Sequence, residues 1–123
     1  MLEVEVLGSA LPAAEVQRLA ALAAASAGIE DGHVAVSFVS AERIAELNGE
    51  WRDEEGPTDV LSFPVDETAA AHGPRELGDV VICPEHATDL REAVVHGVLH
   101  LVGMDHETDD GEMLALQAEI LSW

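Results

Sequence analysis

The chain of 123 residues contains no lysine and no tyrosine, has a single cysteine, and is only 3% aromatic. One cysteine excludes an internal disulfide, and we expect Cys83, at the end of an apolar run, to be a small buried hydrophobic residue. No run of eighteen apolar residues exists, which excludes a membrane-spanning helix. The N-terminus lacks the basic start and long apolar segment of a signal peptide, so we expect a cytoplasmic location.

Positive charge is also scarce. The chain has five arginines and 25 acidic residues, which gives a formal net charge of −20. Such a charge repels nucleic acids at ordinary salt. Two interpretations remain open: a surface that stays hydrated at high salt, or an acidic surface that binds a basic partner. A nucleic-acid substrate is not excluded, because a bound dication would dominate the field inside a cleft.

Hydrophobic periodicity predicts one α+β (α/β-like) domain over residues 1–123. Alternating or short apolar runs predict strands at residues 2–6, 33–39, 59–63 and 78–83, with a polar loop at 66–76. Apolar stripes predict four helices: from Pro12 to Gly28, from a Ser40 cap to Asn48-Gly49, after Pro84, and after a capping box of Asp109 and Glu112. The simplest closed solution is a mixed sheet of about four strands covered by helices.

The segment from His96 to His106 carries the strongest functional signal. His96 and His100 are four residues apart and share one helix face, Gly103 lets the chain leave the helix, and His106 can return as a third ligand. Packing can explain two histidines on an apolar helix. It gives no reason for His96, His100, Gly103 and His106 to occur together. Three neutral histidines leave one divalent ion with an open fourth position, which is the catalytic arrangement. We therefore expect a metal site on a central helix.

The same ligand spacing occurs in metzincin metalloproteases, which place a glutamate base directly after the first histidine. Here that position is Gly97, which cannot take a proton from water. A metzincin-like metalloprotease would need a base from elsewhere, such as Asp105 or Glu107. A third alternative is a non-catalytic assembly factor in which the metal is structural.

Four blocks of the sequence resemble the YbeY family of bacterial rRNA-maturation endoribonucleases, from about Leu47 to the C-terminus. They are Leu47-Asn48 with Arg52, residues 57–64 (PTDVLSFP), residues 77–82 (LGDVVI), and the histidine segment with Asp105-His106. Residues 84–95 are shorter than the corresponding segment of family members. Substrate contacts made from that side are therefore in question, whereas the ligands are intact.

The resemblance implies a zinc ion held by His96, His100 and His106, with catalytic roles for Arg52 and His96. It implies a single-strand-specific endoribonuclease acting in 16S rRNA 3′ end processing and ribosome quality control. The expected partners are single-stranded ribosomal RNA and the small ribosomal subunit, with a ribosomal protein or assembly GTPase, and neither DNA nor a membrane. A planar arginine fork matches phosphate oxygens, although Arg52 could instead pair with Asp53 or Glu54 on the surface. The nucleophile, water or the ribose 2′-hydroxyl, is left open.

The remaining polar residues allow two interpretations each. Asp105 either accepts a hydrogen bond from a ligand imidazole or caps the turn. Three residues around the third strand either line the cleft or satisfy backbone groups: Thr58, Asp59 and Ser62. Asp79 has the same ambiguity. The histidines outside the motif are expected to be bystanders: His33, His72 and His86.

Overall fold

The computed structural model describes residues 2–8, 10–29, 32–54, 56–64, 76–102 and 111–122. Its elements, in chain order, are β1 (Leu2–Leu7), α1 (Ala13–Ser26), β2 (Gly32–Phe38), α2 (Ala41–Arg52), β3 (Val60–Pro64), β4 (Glu76–Ile82), α3 (Leu90–Leu101) and α4 (Glu112–Leu121). The predicted order of strands and helices is confirmed. None of the helices in these ranges is long and apolar enough to cross a membrane.

The four strands form one mixed sheet in the order β1-β2-β4-β3. β1 pairs with β2 and β2 pairs with β4 in parallel, whereas β3 pairs with β4 antiparallel. The predicted α+β architecture with a four-stranded mixed sheet is therefore confirmed. β3 is an edge strand that contacts α3 on one face of the sheet and packs with α2 on the other.

One face of the sheet carries the main hydrophobic core, built by α1, α3 and α4. Alternate strand residues point into it, as the two-residue period of a strand requires. On β4 these are Val80 and Ile82, and on β2 they are Val34 and Val36, all fully buried. α3 runs through the middle of this face and contacts α1, α4, β3 and β4. The histidine helix is therefore central, as predicted.

The opposite face is covered by α2 over a smaller core. Val81 and Cys83 lie on this side of β4 and pack with Leu61 of β3 and Ile44 of α2. Cys83 is fully buried and is a free cysteine, which confirms its predicted role as a small hydrophobic residue. Burial of a short apolar set under one helix leaves much of this face open.

Several helix ends agree with the sequence patterns. The Ser40 side chain accepts a hydrogen bond from the Arg43 backbone N–H at 3.1 Å, which confirms the predicted cap of α2. Gly28 adopts a φ of +81° just after α1, and the N–H of Ile29 returns to the carbonyl of Ala24 at 3.0 Å. That positive φ is the reason for glycine at the end of α1.

Three predicted boundaries are wrong. α2 continues past Asn48-Gly49 to Arg52, because Asp53 takes the left-handed cap conformation at φ 55° and its N–H bonds to the Asn48 carbonyl. β4 begins at Glu76 rather than at Gly78 because pairing with β2 extends to that residue. α4 begins at Glu112 with Gly111 as its N-cap residue. The proposed cap, Asp109, lies outside the described residues.

Candidate functional site

His96 and His100 face each other from consecutive turns of α3. Their Nε2 atoms lie 3.1 Å apart, and the ring centroids are 4.7 Å apart at an interplanar angle of 71°. Both residues are partly exposed, whereas the helix positions between them are buried: Gly97, Val98 and Leu99. The two ring nitrogens thus converge on one point at the border of the core.

The other ring nitrogen of His96 contacts α4. His96 Nδ1 lies 2.8 Å from Oε1 of Gln117, a residue that is only 6% exposed. Sequence reasoning missed Gln117. The signal was available, since Gln117 is a polar residue in the apolar stripe of Met113 and Ile120.

The facing nitrogens fit a metal ion. Two ligand nitrogens that each lie 2.0–2.1 Å from a tetrahedral zinc ion are separated by about 3.3 Å. The observed 3.1 Å between the Nε2 atoms is close to that value. Within the ranges that the structure describes, no group of three or more histidine, cysteine, aspartate or glutamate side chains forms a cluster suited to a metal. The predicted third ligand His106, together with Gly103 and Asp105, lies outside those ranges.

Gly97 lets α3 lie unusually close to the sheet. A Cβ atom at this position would overlap Cγ1 of Val80 and would lie 3.1 Å from Cγ2 and 3.3 Å from Cβ of the same residue. The Gly97 carbonyl accepts a hydrogen bond from the Ser62 hydroxyl of β3 at 3.0 Å. Glycine is therefore required here for packing, and a glutamate side chain after the first histidine would have no room in this arrangement.

An ion-pair network fixes the start of α3 against α1. Glu15 Oε1 accepts hydrogen bonds from Arg91 Nε at 2.9 Å and from Arg18 at 2.7 Å. The hydrogen bond from Arg18, with a smaller contribution from Arg91, lowers the pKa of the Glu15 carboxyl below its ordinary value of 4.5. The same hydrogen bond raises the pKa of Arg18. At the helix start, Asp89 caps the backbone N–H groups of Arg91 and Glu92.

Arg52 is the last residue of α2, and its side chain lies outside the description. The preceding residue, Trp51, makes an edge-to-face contact with Phe63 of β3, with ring centroids 6.2 Å apart. Phe63 is adjacent to Ser62, which bonds to α3 beside His96. The end of α2 next to Arg52 is therefore held against β3 from the α2 face of the sheet, whereas α3 contacts β3 from the opposite face.

The other predicted site residues are placed as follows. Ser62 bridges β3 and α3, whereas Asp59 Oδ1 accepts hydrogen bonds from its neighbours, at 2.9 Å from the Val60 N–H and 3.3 Å from the Thr58 hydroxyl. Their role as cleft-lining residues stays a prediction. His33 lies 3.6 Å from Glu5, and His86 is exposed in the turn between β4 and α3. His72 lies outside the described residues.

A groove of about 510 Å³ lies on the α2 face of the sheet. Three polar side chains line it: Ser37, Arg43 and Asp79. The rest of the lining is apolar or aromatic: Val39, Leu47, Trp51, Phe63 and Val81. Trp51 is 69% exposed at its rim. Asp79, whose role the sequence left ambiguous, therefore faces this groove and not the histidine pair.

The fold and the histidine pair together describe a small α+β protein with a candidate metal centre on its central helix. Comparison with known proteins identifies the family within this class. A family model described as Endoribonuclease YbeY matches residues 9–123. The chain belongs to the YbeY endoribonuclease family.

Relatives support this assignment. The chain is 44% identical to an Endoribonuclease YbeY of Salinispora tropica, with 73% of each chain covered. It is 41% identical to one of Corynebacterium efficiens over 75% of this chain and 57% of that one. The chain is 40% identical to the Endoribonuclease YbeY of Azorhizobium caulinodans, and the alignment covers 93% of this chain and 84% of the relative. That alignment runs over 133 positions, more than this chain's 123 residues, so the relative has residues without a counterpart here.

A solved structure shares the fold. The solution structure of TM1509 from Thermotoga maritima matches with a TM-score of 0.57 at 29% identity, covering 97% of this chain and 87% of that one. In this chain the connection between β4 and α3 is short: the N–H groups of His86 and Ala87 bond to the Cys83 carbonyl, and α3 begins at Leu90. That the extra residues of relatives fall in this connection stays a prediction.

Proposed function

We propose that this protein is a zinc-dependent endoribonuclease that cleaves single-stranded RNA during maturation of the 16S rRNA 3′ end. The observation that carries the proposal is the convergence of His96 Nε2 and His100 Nε2, 3.1 Å apart, on the largely buried helix α3. Membership of the endoribonuclease family supports RNA as the substrate.

The proposed metal ligands are His96, His100 and His106. The two described nitrogens are 3.1 Å apart, close to the separation of two ligands of a tetrahedral zinc ion, and Gln117 contacts the remaining nitrogen of His96. A bound zinc ion would supply positive charge to the non-bridging oxygens of the scissile phosphate. Since both nitrogens of His96 are then engaged, His96 contributes to catalysis through the ion that it holds.

Arg52 is proposed as the residue that binds the phosphate. Its guanidinium can present two parallel N–H donors to phosphate oxygens, which a lysine cannot do. The contact of Trp51 with Phe63 keeps the end of α2 against β3, the strand that also contacts the histidine helix. Positive charge from Arg52 matters the more because the chain as a whole carries a formal charge of −20.

The proposed biological setting is the small ribosomal subunit, with a ribosomal protein or an assembly GTPase as a protein partner and a role in ribosome quality control. Ribosome assembly would place the protein in the cytoplasm. Asp105 is proposed to support a ligand imidazole, and Thr58, Asp59 and Ser62 to lie near the RNA.

Zinc content and cleavage of a single-stranded RNA, measured together, test this proposal. The native protein is expected to hold about one zinc ion per chain and to cleave the RNA, since three histidines form an open site. His100→Ala should lose both zinc and cleavage. Arg52→Ala should retain zinc but lose most cleavage, because it removes phosphate binding without removing a ligand.

His86→Ala is the matched control, since His86 is an exposed histidine outside the motif. It should retain zinc and activity. Retention of zinc by the native protein without any cleavage of RNA, at low or high salt, would contradict the ribonuclease and favour a structural metal or cleavage of peptides. Full cleavage activity in His100→Ala would contradict the metal site.

A further inference from the structure

We infer that Gln117 is a positioning residue that fixes the tautomer and orientation of His96 and thereby sets the affinity of the site for metal. The inference rests on the proposed histidine metal site and not on the identity of its substrate. It assigns to α4, which carries none of the proposed ligands, control over the geometry of α3.

The burial of Gln117 is the first step. A polar side chain that is only 6% exposed must form hydrogen bonds, because an unsatisfied buried amide costs roughly 1–3 kcal/mol. Its Oε1 meets this need at His96 Nδ1, 2.8 Å away. The contact joins residues 21 positions apart, so it depends on the packing of α4 against α3.

The chemistry of the contact determines the proton on His96. With the amide oxygen of Gln117 facing His96, Nδ1 carries a hydrogen, because an amide oxygen only accepts hydrogen bonds. In a neutral imidazole the other nitrogen, Nε2, then has a bare lone pair, the form in which histidine binds a metal. Nε2 is the atom that lies 3.1 Å from His100 Nε2.

The site is therefore prepared with one ligand, His96, already in its metal-binding form, because Gln117 holds the hydrogen on Nδ1 and leaves Nε2 directed at His100 Nε2.

The position of Gln117 is itself fixed by packing. Met113 and Ile120, one turn to either side on the same face of α4, are fully buried in the main core. Their burial leaves the amide little freedom to move away from His96. A fixed acceptor lowers the loss of side-chain entropy when the imidazole binds an ion.

Two variants separate this role from a merely structural one. Gln117→Glu keeps an oxygen acceptor at the same reach, whereas Gln117→Met keeps the length and removes the oxygen. Loss of such a partner typically weakens metal affinity by about 10 to 100-fold. We expect that loss in Gln117→Met, and affinity equal to or above the native value in Gln117→Glu.

Gln17→Met provides the matched control. It makes the same chemical change at an exposed position of α1. Zinc affinity, measured by competition with a chromophoric chelator, should be unchanged. Thermal melting of each metal-free variant shows whether it is folded.

Nitrogen-15 NMR of the metal-free protein gives a readout that does not depend on activity. His96 should be in the Nδ1–H form in the native protein and in Gln117→Glu, and should shift toward the Nε2–H form in Gln117→Met. Observation of Nε2–H at His96 in the native protein would overturn the inference, even if Gln117→Met does not fold. Native zinc affinity in folded Gln117→Met would also overturn it.

The outcome for RNA cleavage is separate. Zinc binding that depends on Gln117 in a protein that cleaves no RNA would support this inference while contradicting the proposed ribonuclease. Absence of zinc binding in the native protein would overturn both the metal site and the role given to Gln117.

Discussion

On one face of the sheet, three helices bury eighteen side chains in the main core, whereas on the other face α2 alone packs over four, counted in the part of the chain that the structure describes. The histidine pair lies on the first face and the groove with Trp51 lies on the second. β3 contributes to both, through Ser62 on one side and Phe63 on the other.

The difference shows where positional accuracy is needed. A metal site tolerates little error in ligand position, so its helix is held by a close glycine contact, a buried glutamine and an ion pair to α1. An open groove with an exposed tryptophan requires less support. The main-core face should therefore respond strongly to small changes in packing and the α2 face weakly.

The largest difference between the faces is expected for Leu99→Ala compared with Trp51→Ala. Leu99 is fully buried in α3, and its truncation leaves a cavity that should lower the free energy of unfolding by about 2 to 5 kcal/mol. Trp51 is 69% exposed and mainly loses its ring contact with Phe63, about 0.5 to 1.5 kcal/mol. Urea unfolding measures both. Equal losses would contradict the comparison.

A pair of helical glycines gives the next largest contrast. Gly97→Ala should lower the free energy of unfolding by about 1 to 3 kcal/mol, because the new methyl group overlaps Val80. Gly49→Ala in α2 should raise it by about 0.5 to 1 kcal/mol, since the new Cβ would lie in ordinary contact, 3.9 Å from the Glu54 carbonyl oxygen, and alanine favours a helix.

The same unfolding experiment tests the cause. Gly97→Ala and Val80→Ala together should cost less than the sum of the two single losses, because both substitutions act on one contact. Strictly additive losses would show that α3 does not approach the sheet through Gly97. Destabilisation by Gly49→Ala would show that α2 is as tightly constrained as α3.

The smallest effect is expected from the ion pair between α1 and α3. Glu15 has a pKa below its ordinary 4.5, so its ionised form stabilises the fold above that pH, and the contribution is lost as pH falls through the lowered pKa. Glu15→Gln should therefore be less stable than the native protein at pH 7, and the difference should shrink below pH 4.5. Thermal melting across pH 3 to 7 measures it.

Glu46→Gln is the control on the other face. Glu46 pairs with Arg43 on the exposed surface of α2, where ion pairs contribute little, so stability should hardly change. The difference in melting temperature between the native protein and Glu15→Gln could instead stay constant across this pH range. That result would show that the ion pair to α3 is not formed in solution.

Much of the fold follows from local patterns. Alternation in β1 and β2 and the Ser40 cap of α2 act within a few residues, and the sequence predicts both. The errors fall at the ends of elements. The start of β4, for example, is set by its pairing with β2, which is distant in sequence. α2 extends to Arg52 although Asn48-Gly49 resembles a stop, and there Trp51 packs against Phe63.

The candidate site divides in the same way. The spacing of His96 and His100 alone places both rings on one helix face. It does not show that Gln117 contacts His96, or that Ser62 bonds to the Gly97 carbonyl 35 residues away. From the sequence, glycine at position 97 indicates only the lack of a catalytic base. The structure gives a packing reason for glycine there, because a Cβ atom would overlap Val80.

By itself, the sequence determined the order of the elements, the helix that carries the histidines and the family to which the chain belongs. These depend on residue periods and motifs that act along the chain. Only the tertiary structure decided which face of the sheet holds each feature, how closely α3 approaches Val80, and which side chain supports His96. Such contacts depend on how separate elements pack together, which no local pattern specifies.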